Sequence, residues 1–288
     1  MRLRLSGFLR RDLALTAMAS DPLLAPEIER HYHVRDEHTR LAAGVGELER
    51  LRTQEILSRY LPDRAVVLDV GGGTGPHARW LAEQGHEVHL VDAVERHVEK
   101  ARSIPEPALA SIEVGDARVL DFDDDVADVV LLLGPLYHLT ERDERVQCVR
   151  EAARVLRPGG VCLVAAISRF ASALDGLASK HLDDPAFAAI VEGDLEDGRH
   201  RNPEDHPRWF TTAYFHRPEE LSDELEAGGL VHEGTFGVEG PTWILRDFEA
   251  HWDDEGRRAR LLELVRKLEA EPSLLGSSAH LLGIGRKA

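Results

Sequence analysis

Cysteine is nearly absent from this chain: Cys148 and Cys162 are the two in 288 residues. That excludes a disulfide framework and fits a reducing compartment, so a cytoplasmic location is expected. Positive charge is also scarce, with 35 Lys and Arg against 52 Asp and Glu and a formal net charge of −17. A wide cationic footprint is missing, which argues against nucleic acid or an anionic membrane as partner. Only Lys100, Lys180, Lys267 and Lys287 are lysines, a bias read as the codon usage of a GC-rich genome. No uninterrupted apolar run approaches the ~20 residues of a membrane-spanning helix. What the chain does have is 43% hydrophobic residues, enough for a sizeable core and against a disordered or fibrous reading.

Residues 1–20 carry Arg2, Arg4, Arg10 and Arg11 ahead of a short apolar stretch. The stretch is too broken for a secretory signal, so a tail, or an early start codon with Met18 as the true start, is expected. Residues 21–62 read as helical, with Pro26 near one start and a second helix from Glu47 to Leu61 stopped by Pro62. Strands and helices then alternate. Ala65–Val70, Glu87–Asp92, Ser111–Val114, Val126–Leu133 and Val161–Ile167 have the look of buried parallel strands. Between them Pro76–Gln84, Val94–Arg102 and Glu141–Leu156 read as helices, the last ended by Pro158-Gly159-Gly160. This alternation predicts an α/β fold, a doubly wound parallel sheet whose strand-end loops share one ligand-binding edge.

Residues 168–215 break the rhythm. They show no clear strand, are acidic and His-rich between residues 182 and 207, and are expected to form a lid or binding element. A helix from Pro218, strands Leu230–Val238 and Ala279–Gly285, and a helical Asp247–Glu271 broken at Gly256 close the chain.

The first strand runs into Asp69-Val70-Gly71-Gly72-Gly73-Thr74-Gly75. Glycines there let the backbone turn tightly and bring a ligand against amides at a helix N-terminus. Taken alone the loop also satisfies a relaxed dinucleotide pattern through Gly73, Gly75 and Ala78, or is a tight turn without a ligand. Asp92 ends the second strand, where a carboxylate can accept from two ribose hydroxyls or merely serve a turn. Gly115-Asp116-Ala117 suits an adenine amino group and its flat face, or an Asx-type turn.

With Val155-Leu156-Arg157-Pro158-Gly159-Gly160 added, these motifs resemble the class I S-adenosylmethionine-dependent methyltransferases over roughly residues 47–168. The resemblance implies a Rossmann-like seven-stranded sheet, mostly parallel with an antiparallel last strand, plus a helical lid insertion. It divides the chain into an N-terminal tail and helical cover (1–46), an S-adenosylmethionine-binding core (47–167), a substrate cap (168–215) and closing elements (216–288). Asp69, Gly71, Gly73 and Gly75 would surround the methionine and ribose portions of S-adenosylmethionine, Asp92 would hold the ribose, and Asp116 and Ala117 would flank adenine. Leu133 and Gly134 would lie beside the methionine amino group and sulfonium. Arg52 would reach the methionine carboxylate, or else is a solvated arginine.

The loop Gly134-Pro135-Leu136-Tyr137-His138-Leu139 is similar to one in a subgroup of bacterial small-molecule methyltransferases. Gly134 departs from the acidic or Asn residue of amino-group methyltransferases. Tyr137 would wall the methyl-transfer site or pack in the core, and His138 would be a general base or a hydrogen-bonded structural histidine. The expected activity is methyl transfer to an O or N atom of a small molecule, as in secondary metabolism. The rivals are a nicotinamide-dependent oxidoreductase and a non-catalytic S-adenosylmethionine-binding protein. His31, His33, His181, His200, His206 and His216 fall in the cover and insertion without a closed four-ligand set, so no metal is expected. Trp209, Phe210, Tyr214 and Phe215 either line a pocket for a ring or pack the insertion. The acceptor and the oligomeric state stay open at this level.

Overall fold

The computed structural model describes residues 23–34 and 40–288, the side chains of residues 33 and 34 excepted; the expectations for residues 1–20 lie outside the described residues. Helices α1 (Pro26–Val34) and α2 (Gly44–Leu57) precede β1 (Val66–Val70), α3 (Pro76–Glu83), β2 (Glu87–Asp92), α4 (Glu95–Ser103), β3 (Ser111–Val114) and β4 (Ala127–Leu132). Then come α5 (Arg142–Val155), β5 (Leu156–Ser168), α6 (Ala171–Ser179), α7 (Pro185–Asp197), β6 (Arg199–His200) and β7 (Ala213–His216). Helix α8 (Pro218–Ala227), β8 (Val231–Gly237), α9 (Phe248–Trp252), α10 (Glu255–Leu268) and β9 (His280–Arg286) follow.

The main sheet has the order β3-β2-β1-β4-β5-β9-β8, with β9 antiparallel between β5 and β8. Alternation along the central strands decides which side chains go to which face. Leu68 and Val70, Val130 and Leu132, and Cys162 and Val164 pack with Val149 and Ala152 of α5 and with Leu221 and Leu225 of α8. Val67, Val129, Leu131 and Leu163 point the other way, onto Ile56 and Leu57 of α2 and Ala78 and Leu81 of α3. Each such side chain contributes ~1.5–3 kcal/mol on burial, and a one-residue slip would exchange the faces. The mostly parallel sheet expected from the strand–helix alternation is thus present, and both cysteines are free and buried, Cys148 on α5 and Cys162 on β5.

Three local expectations are corrected. First, Pro158-Gly159-Gly160 lies inside β5: pairing with β4 jumps from Ala127↔Leu156 to Val129↔Val161, a bulge that absorbs the turn residues. Second, the closing helix breaks at Asp253 and Asp254 instead of Gly256. The Asp254 carboxylate accepts from Arg257 N at 2.8 Å and starts α10, leaving Gly256 in its first turn. Third, residues 168–215 are ordered into two helices and a short hairpin. Asp184 caps α7 by accepting from Ala186 N at 2.9 Å with Pro185 in the first turn. Strand β7 joins the end of β5 (Ile167↔Phe215, Ser168↔His216). Strands this short carry too little alternation to be read from sequence.

The insertion has a small core of its own, Phe187, Val191 and Trp209, and is tied down by a buried ion pair. Arg145 of α5 binds Glu224 of α8 at 2.7–3.0 Å and lies 3.6 Å from the ring centre of Tyr214 on β7. Glu224 also meets Nε2 of His216 at 3.1 Å. On the opposite side α1 is fastened to the insertion by Thr211 and Thr212, whose hydroxyls donate to Glu27 at 3.2 and 3.0 Å. Among the described residues, no helix is long and apolar enough to cross a membrane.

Candidate active site

The loops leaving β1, β2, β3 and β4 meet over a cavity at the C-terminal edge of the sheet, where an open α/β sheet binds its ligands. Its floor is set by two glycines. Gly71 has φ 72°, and a Cβ there would stand 2.6 Å from Pro135; one on Gly134 would stand 2.9 Å from the Gly71 carbonyl oxygen. The β1 and β4 loops therefore touch backbone to backbone, which only glycine permits.

The glycine loop uses its amides internally. Gly71 N donates to Val91 O at 2.7 Å, Gly73 N to Asp92 Oδ2 at 2.8 Å, and Gly75 N to Gly72 O at 2.9 Å. Asp92 Oδ1 accepts from Val94 N at 2.9 Å and lies 3.2 Å from His97 Nδ1. Asp69, 1% exposed, has no hydrogen-bond partner for either carboxylate oxygen among the described residues. Burial, reinforced by the Asp92 charge, pushes its carboxyl up to about 7. This wall offers carboxylate acceptors, so it fits a ligand carrying positive charge, N–H and O–H groups. A phosphate would find the Gly71, Gly73 and Gly75 amides already bonded.

Asp69, Gly71, Gly73, Asp92, Asp116, Ala117, Leu133, Gly134, Tyr137 and His138 all line this cavity. Asp116 does so with its carboxylate gripped by Arg118 at 2.8–3.0 Å, Arg118 also pairing with Glu144. Gly75 does not reach the lining: it caps α3 at φ 86°, with its would-be Cβ 3.0 Å from Leu90. Arg52 does not reach it either. Its buried guanidinium pairs with Glu55 and Glu269, and its α2 neighbours Glu49 and Thr53 face the cavity instead.

Tyr32, Arg40, Tyr137 and His280 border both this cavity and a second chamber, enclosed by α1, the end of β5 and the insertion. Trp209, Phe210 and Phe215 line the second chamber, whereas Tyr214 is turned beneath Arg145. His138 sits at the junction, its Nε2 2.7 Å from the Tyr32 hydroxyl and its Nδ1 3.4 Å from Thr212 O. Burial pulls His138 down to about 4, against the opposing effect of the Thr212 carbonyl. The ring is thus neutral near pH 7, with Nδ1–H toward the carbonyl and the Nε2 lone pair toward Tyr32.

A third group at the junction was not legible in the sequence, because its members come from α2, the loop after β8, and β9. His280 Nδ1 lies 2.5 Å from Glu239 Oε1 and 3.8 Å from Glu49. Burial alone would lower His280, but the two carboxylates raise it to about 9. Glu49, despite burial, is held down to about 2 by His280 and by Arg40, which also hydrogen-bonds it at 2.9 Å. Ligand atoms of Glu49, Glu239 and His280 lie within 4.8 Å of one another, a spacing open to a metal ion. With His280 protonated and Arg40 adjacent, the two carboxylates are already balanced.

Residues 67–160 match a family model described as a methyltransferase domain. The chain is 36% identical over 132 residues to Methyltransferase GfsG of Streptomyces halstedii, covering 44% of this chain and 43% of that protein. It is 41% identical over 109 residues to the sarcosine/dimethylglycine N-methyltransferase of Halorhodospira halochloris, covering 36% of this chain and 38% of that protein. The chain therefore spans less than half the length of either relative. Among solved structures, an S-adenosylmethionine dependent methyltransferase from Mesorhizobium loti aligns with a TM-score of 0.55 at 18% identity, over 83% of this chain and 100% of that one. That last likeness is one of fold.

Proposed function

Residues 67–160 are a class I S-adenosylmethionine-dependent methyltransferase domain, and on that premise we propose that the protein methylates an O or N atom of a small molecule seated in the second chamber. The observation that supports this reading is that Tyr32, Arg40, Tyr137 and His280 border both spaces, so an acceptor in the second would adjoin a cofactor in the first. Residues 168–215 are then the acceptor cap. The N-methyltransferase relative favours nitrogen as one accepting atom, and a role in secondary metabolism is part of the same proposal.

In this reading Asp69 faces the cationic end of S-adenosylmethionine, Asp92 the ribose hydroxyls, and Ala117 a face of adenine. Arg40 takes the place expected of Arg52 toward the methionine carboxylate. A nicotinamide dinucleotide fits less well. Its pyrophosphate would meet Asp69 and Asp92, and the Gly73 amide that should greet it is already bonded to Asp92.

When bound, S-adenosylmethionine supplies a methyl carbon made electrophilic by the sulfonium. The protein aligns the acceptor and excludes water, with Tyr137, Phe210 and Pro135 forming the apolar walls. In this reading Tyr32 donates to His138 and its oxygen stands beside the acceptor O–H or N–H. As that proton reaches the Tyr32 oxygen, the phenolic proton passes to His138 Nε2. His138 is then a positioning residue behind Tyr32 and holds the proton only in passing, since its ring is neutral near pH 7.

The reading is tested by calorimetry with S-adenosylhomocysteine and NAD, followed by transfer of labelled methyl to a panel of small alcohols, phenols and amines. Binding of S-adenosylhomocysteine and labelling of a panel member are expected. Binding of NAD with no binding of S-adenosylhomocysteine overturns the assignment.

A further inference from the structure

Beyond Phe210, the second chamber carries a polar group that neither the cofactor nor the Tyr32–His138 pair uses. Ser172 Oγ of α6 donates to Asp194 Oδ2 of α7 at 2.6 Å, and Nδ1 of His200 lies 2.8 Å from the same oxygen. Ser172, Asp194 and His200 are 7%, 1% and 2% exposed. Ser172 and His200 line the chamber while Asp194 does not, so the carboxylate stands behind the ring. An acceptor-only carboxylate fixes the proton of the neutral imidazole on Nδ1 and leaves a lone pair on Nε2, the opposite edge of the ring. That Nε2 is buried and has no hydrogen-bond partner among the described residues. The ring is also held in plane, stacked on Phe215 with 4.7 Å between centroids and 8° between planes.

The Nδ1 edge serves Asp194, but a buried acceptor left without a donor at Nε2 is destabilising. An oriented, unsatisfied lone pair on the wall of an aromatic chamber is what a ligand hydroxyl completes. We propose that His200, positioned by Asp194, recognises a neutral hydroxyl carried by a ring-bearing acceptor, at the end away from the atom that is methylated. The inference rests on the reading of the second chamber as the acceptor site. Phe210 separates His200 from His138, with ring centroids 6.3 and 5.8 Å away respectively, so the two histidines address different ends of one molecule. Asp194 directly behind the ring disfavours a carboxylate in the same place, and a methyl ether would leave Nε2 unpaired.

Phenol, toluene and benzoate are the probes, titrated into the full chain with and without S-adenosylhomocysteine. Binding is followed by NMR of protein labelled with ¹⁵N in the imidazoles. Phenol should perturb one Nε2 signal of a ring protonated at Nδ1, and that signal should be missing from His200→Asn. The variant should bind phenol roughly tenfold more weakly, about the value of one hydrogen bond, and toluene within twofold of the parent. Equal losses for phenol and toluene, tighter binding of benzoate than phenol, or a free His200 protonated at Nε2 would each overturn the proposal. If His200→Asn does not fold, His200→Gln and the titration of the unaltered protein decide the same question. Retained S-adenosylhomocysteine binding without any preference for phenol removes this inference alone; failure of the unaltered protein to bind S-adenosylhomocysteine removes the methyltransferase reading.

Discussion

The Tyr32 hydroxyl lies 2.7 Å from Nε2 of His138, a bond that joins α1 to the loop after β4 across 106 residues of chain. It makes the two side chains one unit at the meeting point of the chambers. Tyr32→Phe and His138→Asn should each lower turnover roughly 10²-fold, the lower range for a positioned acid–base group. The double variant should lose little more than either single one, since both remove the same relay. With His138 held near 4, the pH–rate curve above pH 6 should carry no limb from it. Additive losses in the double-variant cycle would separate the two residues and end the relay.

Asp69 offers a test that reads stability and binding in opposite directions. Its carboxyl titrates at about 7 folded and ~3.9 unfolded, so the folded state holds the extra proton between those values. Stability therefore falls as pH rises from about 4 to about 7. Asp69→Asn should raise Tm by several degrees at pH 8 while weakening S-adenosylhomocysteine at least ~10-fold, through loss of a charged hydrogen bond. In the unaltered protein, calorimetry at pH 6 in two buffers should show proton release on binding. A variant with lower Tm and unchanged affinity would refute this account.

His280 shifts the other way. Its proton is held more tightly folded, at about 9, than unfolded, at ~6.5. The pairing with Glu239 and Glu49 thus stabilises the fold fully below about pH 6.5 and is lost as pH rises through about 9. At ~1.4 kcal/mol per pKa unit the whole effect is at most about 3.5 kcal/mol. The lowered Glu49 reports the same pairing and is not added. Thermal scans between pH 7 and 9.5 should show a steeper loss for the unaltered protein than for His280→Gln, and parallel curves would count against the pairing.

Arg52 should matter to the fold and not to the cofactor. Arg52→Met leaves the partly exposed Glu55 and Glu269 to Arg266 and Arg59 alone, a loss of about 1–2 kcal/mol, below that of a fully buried and uncompensated pair. Urea unfolding should show that loss, while affinity for S-adenosylhomocysteine stays within twofold. A large loss of affinity in a stable variant would return Arg52 to the site.

The lining of the first cavity was legible because its residues are local. Asp69 and the glycines follow one strand, Asp92 ends the next, and Asp116 and Ala117 follow the third, so a correct strand register carries them to one edge. The exceptions are also local in origin. Gly75 had the right spacing but turns back as the cap of α3, and Arg52 had the right helix but the wrong face. Helix α7 was marked by Asp184-Pro185, a start signal outweighed by the acidic, Pro-punctuated stretch around it.

The sequence by itself determined the α/β class, the strand–helix alternation of a mostly parallel sheet and the cavity edge, because apolar runs and glycine turns are encoded within a few residues; the order of the strands came from the structure. Only the tertiary structure revealed the second chamber and the groups around it. The Tyr32–His138 bond, the His280 group and the Ser172–Asp194–His200 line each join residues from separate elements brought together by the insertion and the closing strands. Their roles depend on burial and on what stands opposite: one histidine is held near 4 and another near 9 by environment alone. No spacing rule reports that environment, since desolvation and Coulomb interaction act through space and not along the chain.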